Sequence, residues 1–206
     1  MTEPKCKKCR RLGEKLFLRG DRCSSPKCAM VKRNYPPGIH GQKGYPRGSS
    51  FSHQLQEKQK AKKMYGVTES QFSRYYEKAV KKGGNSGEIL LKFLETRLDN
   101  IIFRLGFSKS RKSARQLISH NHFLVNNKRV NIPSYSVKAN DEISIRPPSL
   151  KKSYFHDLVK LLDKFETVTW LKLDKKNLKA KVLSLPQKEE LPRGIETQLI
   201  IEYYSK

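Results

Sequence analysis

No run of about 18 uncharged apolar residues, the length a helix needs to cross a bilayer, occurs anywhere in the sequence. The chain opens Met1-Thr2-Glu3-Pro4, without the basic and then apolar pattern of a secretion signal. Acidic residues are scarce: 19 Asp and Glu stand against 44 Lys and Arg, a formal net charge of +25 on 206 residues. Such an excess repels itself unless a polyanion neutralises it, which leaves nucleic acid or an anionic membrane surface; with no apolar span, nucleic acid is the expected partner and a membrane is not. Catalytic signatures are missing as well. There is no glycine-rich phosphate loop, no serine-nucleophile motif and no zinc-water motif, so neither an enzyme nor a small-molecule substrate is expected.

The four cysteines are few but closely spaced. Two residues separate Cys6 from Cys9 and four separate Cys23 from Cys28, with thirteen between the pairs. Two close pairs gather four thiolates around a tetrahedral ion after closing only a short loop, which favours one structural zinc ion. Reduced free thiols, disulfides and an iron–sulfur cluster are the other readings. Disulfides suit an exported protein, and no export signal is read here. A four-cysteine site has no open position for catalysis.

Residues 1–63 hold 17 Lys and Arg against 4 Asp and Glu, +13 of the net charge. Within them, two prolines and two glycines in Tyr35-Pro36-Pro37-Gly38-Ile39-His40-Gly41 exclude regular helix or central strand. The stretch 35–50 reads either as an extended loop lying against a partner or as a disordered linker. The stretch 54–65 is helical in pattern, and its lysines, Lys58 and Lys62 among them, suit phosphate contact better than a solvated face. Thr68 and Gln71 form a capping box, and Phe72, Tyr75, Tyr76, Ala79 and Val80 make an apolar face before Gly83-Gly84.

In the middle of the chain, Leu94, Leu98, Ile101, Ile102 and Leu105 recur at three- and four-residue steps and Gly106 stops the helix. Ser110 caps a second helix with Ala114, Leu117 and Ile118 on one stripe and Arg111 and Arg115 on another face. Strands follow at 123–125, 129–132 and 142–145, with a turn at Asn126-Asn127 or Asn127-Lys128. Beyond them come a helix over 154–165, with Phe155, Leu158, Val159, Leu162 and Phe165 on its apolar face, and strands at 167–173 and 178–185 in which Trp170 packs. Thr197 to Tyr204 is β-rich by propensity.

RLDNIIFRLGF, SRKSARQLISHNH and VNNKRVNIPSY resemble the S-four RNA-binding module. Similarity continues outward through CKKC, CSSPKC, YPPGIHGQKG, EKQKAKKMYGVTESQF, TWLKLD and LIIEYYSK to the bacterial small-subunit ribosomal protein S-four family. Two departures are Asn121 and Asn127, where that family usually has glycine; asparagine tolerates positive φ better than most residues.

The resemblance implies an α+β fold. A mostly helical N-terminal domain carries the zinc-bound cysteine segment, and an inserted α/β domain with a small antiparallel sheet carries the module. Boundaries follow: a basic zinc-binding extension at 1–50, helical domain one at 51–88 completed by 191–206, and domain two at 89–190 with the module at 95–145. It also implies that the tail at 197–204 docks as a helix.

The implied function is that of a cytoplasmic, structural constituent of the small ribosomal subunit. It would bind the 5′ domain of 16S rRNA, nucleate assembly of the subunit body, contact protein S-five, lie near the messenger entry path, and with S-twelve influence accuracy. RNA-facing residues carried over are Arg104, Ser110, Arg111, Arg115, Gln116, His120, His122 and Lys128, with Lys43, Arg47, Lys58 and Lys62 from the basic segments. Guanidinium groups suit this task because each donates two parallel hydrogen bonds to one phosphate. For Arg104 an internal pair with Asp99 is the competing reading, and for His120 and His122 a satisfied turn histidine. Arg97-Leu98-Asp99 also resembles the start of a pseudouridine synthase motif, but Asn100-Ile101-Ile102 departs from it and Asp99 falls in a predicted helix.

Overall fold

The apolar periodicities become short helices and short strands. The computed structural model describes residues 4–45, 47–162 and 165–205, with the side chains of 156, 157 and 159–161 set aside. In chain order the elements are α1 Lys5–Leu12, α2 Asp21–Ser24, α3 Ala29–Lys32, α4 Ser50–Tyr65, α5 Glu69–Lys82, α6 Ser86–Glu95, α7 Leu98–Arg104 and α8 Arg111–Ser119. They continue with β1 Phe123–Val125, β2 Lys128–Arg129, β3 Glu142–Ile145, α9 Pro147–Leu150, α10 Ser153–Leu162, β4 Leu171–Asp174, β5 Lys179–Val182 and α11 Thr197–Tyr204. No helix among the described residues is long and apolar enough to cross a membrane. The chain divides into two units, the described residues up to Leu90 together with those from Pro192 on, and Leu91–Leu191.

In the first unit α11 packs along α4. Tyr204 stacks on Tyr76 with ring centroids 4.5 Å apart, and Phe51 and Tyr203 meet at 5.6 Å. Strand propensity in TQLIIEYY is overridden because a helix puts Ile200 inside and both tyrosines against α4 and α5. The Thr68–Gln71 capping box forms with both of its hydrogen bonds, and Gly66 ends α4 in the left-handed conformation at φ 65°. At the N-terminal end the core is small: Cys9, Leu12, Leu16, Cys28 and Met30, with Leu18 partly buried beside them.

The expected loop over 35–50 includes one turn of 3-10 helix at Ile39–Lys43 and is fastened to α1. Arg10 Nε donates to the Tyr35 carbonyl at 2.9 Å, Nη2 to that of Pro36 at 3.2 Å, and the Tyr45 hydroxyl donates back to the Arg10 carbonyl at 2.7 Å. Gly41 is obligatory there, since a Cβ would stand 1.9 Å from the Pro36 oxygen.

The second unit wraps α7, α8 and α10 around one face of a five-stranded antiparallel sheet of order β2-β1-β3-β5-β4. Its core joins Leu98, Ile101, Ile102 and Leu105 of the α7 region to Ala114 and Ile118 of α8, Phe123 and Val125 of β1, Ile143 of β3 and Trp170. The register Leu124↔Arg129 and Val125↔Lys128 leaves Asn126-Asn127 as a two-residue hairpin loop. Their φ angles of 49° and 61° give the doubly left-handed turn that matches the twist of such hairpins. Asn121 sits at φ 59°, so asparagine takes on both turns the conformation for which glycine is the usual choice.

Several boundaries differ from the sequence reading. The helix through 94–105 breaks at Thr96-Arg97, where Arg97 is extended at ψ 138°. The break lets the Leu98 and Asp99 amides bond the Tyr135 and Pro133 carbonyls. The strand expected over 129–132 is observed only as Lys128–Arg129, after which Val130 packs partly against the core and residues 131 and 132 are exposed. The strands expected at 167–173 and 178–185 shorten to β4 and β5, and α9 was not legible. The far end of the helix expected over 154–165 includes residues 163 and 164, and like the Val159 side chain these lie outside the described set.

Candidate nucleic-acid interface

The α7–α8 corner is built on a polar network that the surrounding core encloses. Arg97, 1% exposed, donates from Nε and Nη2 to the two oxygens of Asp99 at 3.0 and 2.7 Å. Glu95, equally buried, accepts from Arg104 at 3.1 and 2.8 Å and from Asn100 Nδ2 at 2.7 Å. Asn100 Oδ1 in turn accepts from Arg111 Nε at 2.7 Å, and the Arg111 guanidinium lies 4.6 Å from the centre of the Phe103 ring. Arg115 Nε stands 3.8 Å from Asp99 Oδ2. Four guanidiniums therefore face two carboxylates, and the surplus positive charge falls on the outer members, since Arg104 and Arg115 keep 27% and 36% of their side chains exposed.

This answers two open readings. Arg104 pairs internally with Glu95, and its forked bond fixes the guanidinium plane while 27% of the side chain stays exposed. Asp99 is locked by Arg97 in the interior, which removes it as a catalytic group. Arg111 and Arg115 do share one face of α8, and each is oriented by a polar group of α7. Such side chains lose less rotamer freedom on meeting a phosphate than free surface arginines would.

Ser110 is the cap of α8: its hydroxyl accepts from the Ser113 amide at 3.3 Å, and at 8% exposure it offers little else. Gln116 and His120 are exposed on α8 and at its end, and Lys128 is exposed on β2. His122 is buried, with Nδ1 2.8 Å from the Ser149 hydroxyl and its ring edge-on to Phe155. Burial, assisted by the charges of Lys152, His120 and Arg146, pushes its pKa below the usual value. A neutral, enclosed ring is the satisfied turn histidine, and His122 offers no cation to a phosphate.

Among the outlying candidates, Lys43 and Arg47 are exposed. Lys58 is a correction. It is 4% exposed, lies over the Tyr203 ring at 4.2 Å and bonds Glu69 at 2.8 Å. Lys62 also bonds Glu69, at 2.7 Å, with 19% of its side chain exposed. Burial would raise the Glu69 carboxyl, but bonds from Lys58, Lys62 and the Tyr204 hydroxyl hold its pKa down at about 2. This lysine-rich helix face is thus largely internal wiring, because its answering groups come from α5 and α11.

Glu95, Arg97 and Asn100 emerge only from the structure. Their signal in the sequence is three polar residues flanking core positions Leu94, Leu98 and Ile101, where an amphipathic helix would place apolar groups.

The four cysteines are all free and line one small pocket with Leu18 and Met30. The Arg19 amide donates to Cys23 Sγ at 3.3 Å. Burial raises the Cys9 thiol pKa against a lowering bond from the Leu16 backbone, and Cys23, Cys6 and Cys28 add to the rise. No group of three or more His, Cys, Asp or Glu among the described residues stands close enough to hold a metal ion as it is.

A rigid cationic helix pair beside a small antiparallel sheet, with its one buried catalytic look-alike locked in a salt bridge, defines a binding protein of the S4-domain class. The S4 domain matches residues 96–143, and the Ribosomal protein S4/S9 N-terminal domain matches residues 1–95. The small ribosomal subunit protein uS4 of Caldicellulosiruptor saccharolyticus is 50% identical over 203 residues, covering 98% of this chain and 97% of that protein. That of Thermus thermophilus is 46% identical over the same shares, and that of Syntrophus aciditrophicus 49% identical over 99% and 98%. The chain belongs to the uS4 family of small ribosomal subunit proteins.

Proposed function

We infer that this protein is a non-enzymatic structural constituent of the small ribosomal subunit in the cytoplasm, where it binds rRNA. The carrying observation is likeness to uS4 proteins over nearly the whole chain. The α7–α8 network supports it, because prearranged guanidiniums suit the regularly spaced phosphates of an RNA helix, which is recognised by shape and backbone. Arg111, Arg115 and the partly exposed Arg104 carry the contact, with Gln116, His120 and Lys128 around them and Lys43 and Arg47 on the N-terminal arm. Ser110 acts through the helix it caps.

The finer reading places the contact in the 5′ domain of 16S rRNA, early in assembly, where the rigid corner holds RNA helices in one arrangement for later proteins. Contact with S-five, an influence on accuracy shared with S-twelve, and a position near messenger entry belong to the same reading. Sedimentation in high magnesium tests the core of it: the protein should travel with small subunits, and recovery in the free soluble fraction would refute it.

We infer that the cysteine segment holds a single structural zinc ion, which would draw the four thiols closer together than they stand alone. Four soft thiols around one pocket are the donor set of a closed tetrahedral site, and gathering their negative charges is favourable only around a cation. Cys6, Cys9, Cys23 and Cys28 would hold the ion, which would supply cross-linking and no reactivity. Metal analysis after purification without chelator should find about one zinc per chain, as a closed four-cysteine site requires; zinc-free folded protein would eliminate the clip.

A further inference from the structure

The N-terminal arm contains a cavity of about 640 Å³ whose walls are cationic. Lys7, Arg19, Arg22, Lys27, Lys32 and Arg33 line it, and no acidic residue does. No ion pair joins any of the six to a described carboxylate. The contrast with α4 and α7 is direct, since there buried cations have carboxylate partners.

These six residues span 27 positions and come together for a physical reason. Cys9, Leu12, Cys28 and Met30 gather α1 and α3 on one small core, and the cations of α1, α2, α3 and their connecting turns surround a hollow that adjoins the cysteine pocket and shares Cys6, Arg19 and Ala29 with it. Arg10 closes the back wall. Its guanidinium is spent on the Tyr35 and Pro36 carbonyls, which brings Pro37 to the rim, while Pro4 and Ala29 supply further apolar surface.

Concentrating like charges around a hollow opposes folding unless an anion enters, and a cavity of this size encloses more than a single phosphate group. Three of the six cations are arginines, whose planar forks match phosphate oxygens in pairs. We propose that this cavity is a phosphate seat that takes consecutive backbone phosphates of an RNA strand, with the apolar rim against the sugars. The proposal rests on the rRNA-binding reading above and adds to it a second anchoring point, separate in sequence from the α8 arginines.

The test uses the full chain and an rRNA 5′-domain fragment. Replacing Lys7, Arg22, Lys27 and Arg33 together by Gln keeps the Arg10 bonds to Tyr35 and Pro36 and the Arg19 contacts with Cys6 and Cys23. The slope of log affinity against log salt should fall by roughly 3, at about 0.7–0.9 per phosphate contact. A control set with equal charge loss on exposed positions elsewhere, Arg74, Lys78, Lys81 and Lys176 to Gln, should move it by less than one unit. Equal losses in the two sets, or an unchanged slope in the first, would overturn the seat.

Acetylation of lysines in the unaltered chain, read by mass spectrometry, removes dependence on whether the variant folds. RNA should protect Lys7, Lys27 and Lys32 several-fold more than Lys78 and Lys81, and uniform protection would overturn the proposal. Inorganic tripolyphosphate in place of RNA separates the two sources of phosphate. Equal protection by it would identify a soluble oligophosphate as the occupant and reject the backbone assignment, whereas protection by RNA alone supports that assignment. If the unaltered chain fails to bind the fragment at all, the rRNA-binding reading falls; if it binds and only the seat substitutions are silent, the seat alone falls.

Discussion

The cations of the α7–α8 corner and those of the N-terminal arm obey opposite rules. In the corner, Arg97, Arg104, Arg111 and Arg115 are each oriented by Glu95, Asp99 or Asn100 inside a unit with a large apolar core. In the arm, seven Lys and Arg, Arg10 among them, line a hollow beside a core of five buried residues, with no acidic residue on its wall. A total charge of +25 is silent about this difference. A buried cation with a carboxylate partner is architecture that partly points outward; a cation with none is waiting for a partner molecule.

The sharpest break in that comparison is Asp99→Ala. It removes the Asp99 carboxylate from the buried Arg97 guanidinium, and removing one partner of a buried pair should cost about 3–5 kcal/mol, read by chemical denaturation. Arg22→Gln in the arm, an exposed change, should stay within about 0.5 kcal/mol, and an equal cost at the two sites would erase the distinction.

Next in size is metal removal. If zinc clips the arm, chelation should speed protease cleavage within 5–33 by about an order of magnitude while 91–191 remains protected, because structural metal is coupled to local folding. Equal cleavage with and without chelator would show that the small apolar core suffices.

Neutralising Arg111 and Arg115 together should lower the salt slope of rRNA binding by about 1.5, two contacts' worth. The change should leave far-UV circular dichroism intact, and an unchanged slope would make the pair purely internal.

The smallest effect concerns Glu69, whose carboxyl pKa is lowered from 4.5 to about 2 in the folded chain. Its contribution is therefore fully present above about pH 4.5 and disappears as pH falls through about 2. Because the side chain is 46% exposed, screening reduces it to about 1 kcal/mol. Glu69→Gln should flatten the acid limb of stability by that amount, and an unaltered limb would remove the Lys58–Glu69–Lys62 cluster as a stabilising element.

Local signals were legible where local physics decides. Thr68 with Gln71 announces its capping box and Ser110 its helix cap, and of the two turns the sequence allows, Asn126-Asn127 or Asn127-Lys128, the structure takes the first, with two positive φ angles. Arg111 and Arg115 read as one face because four residues make about one turn. The break at Arg97 was hidden, since its cause is a set of amide bonds to carbonyls 34 or more positions away. Lys58 read as a phosphate contact for the same reason: its partners Glu69 and Tyr203 lie 11 and 145 positions on. The hollow in the arm escapes pattern reading altogether, because seven cations on short helices and turns form a site only after the cysteine-side core has folded.

The docking of α11 against α4 has a consequence during synthesis. Residues 91–191 form a continuous stretch with its own apolar core, whereas the earlier-made α4 must wait for 197–204, the last part of the chain to be made, before it is covered. The part born first is thus finished last.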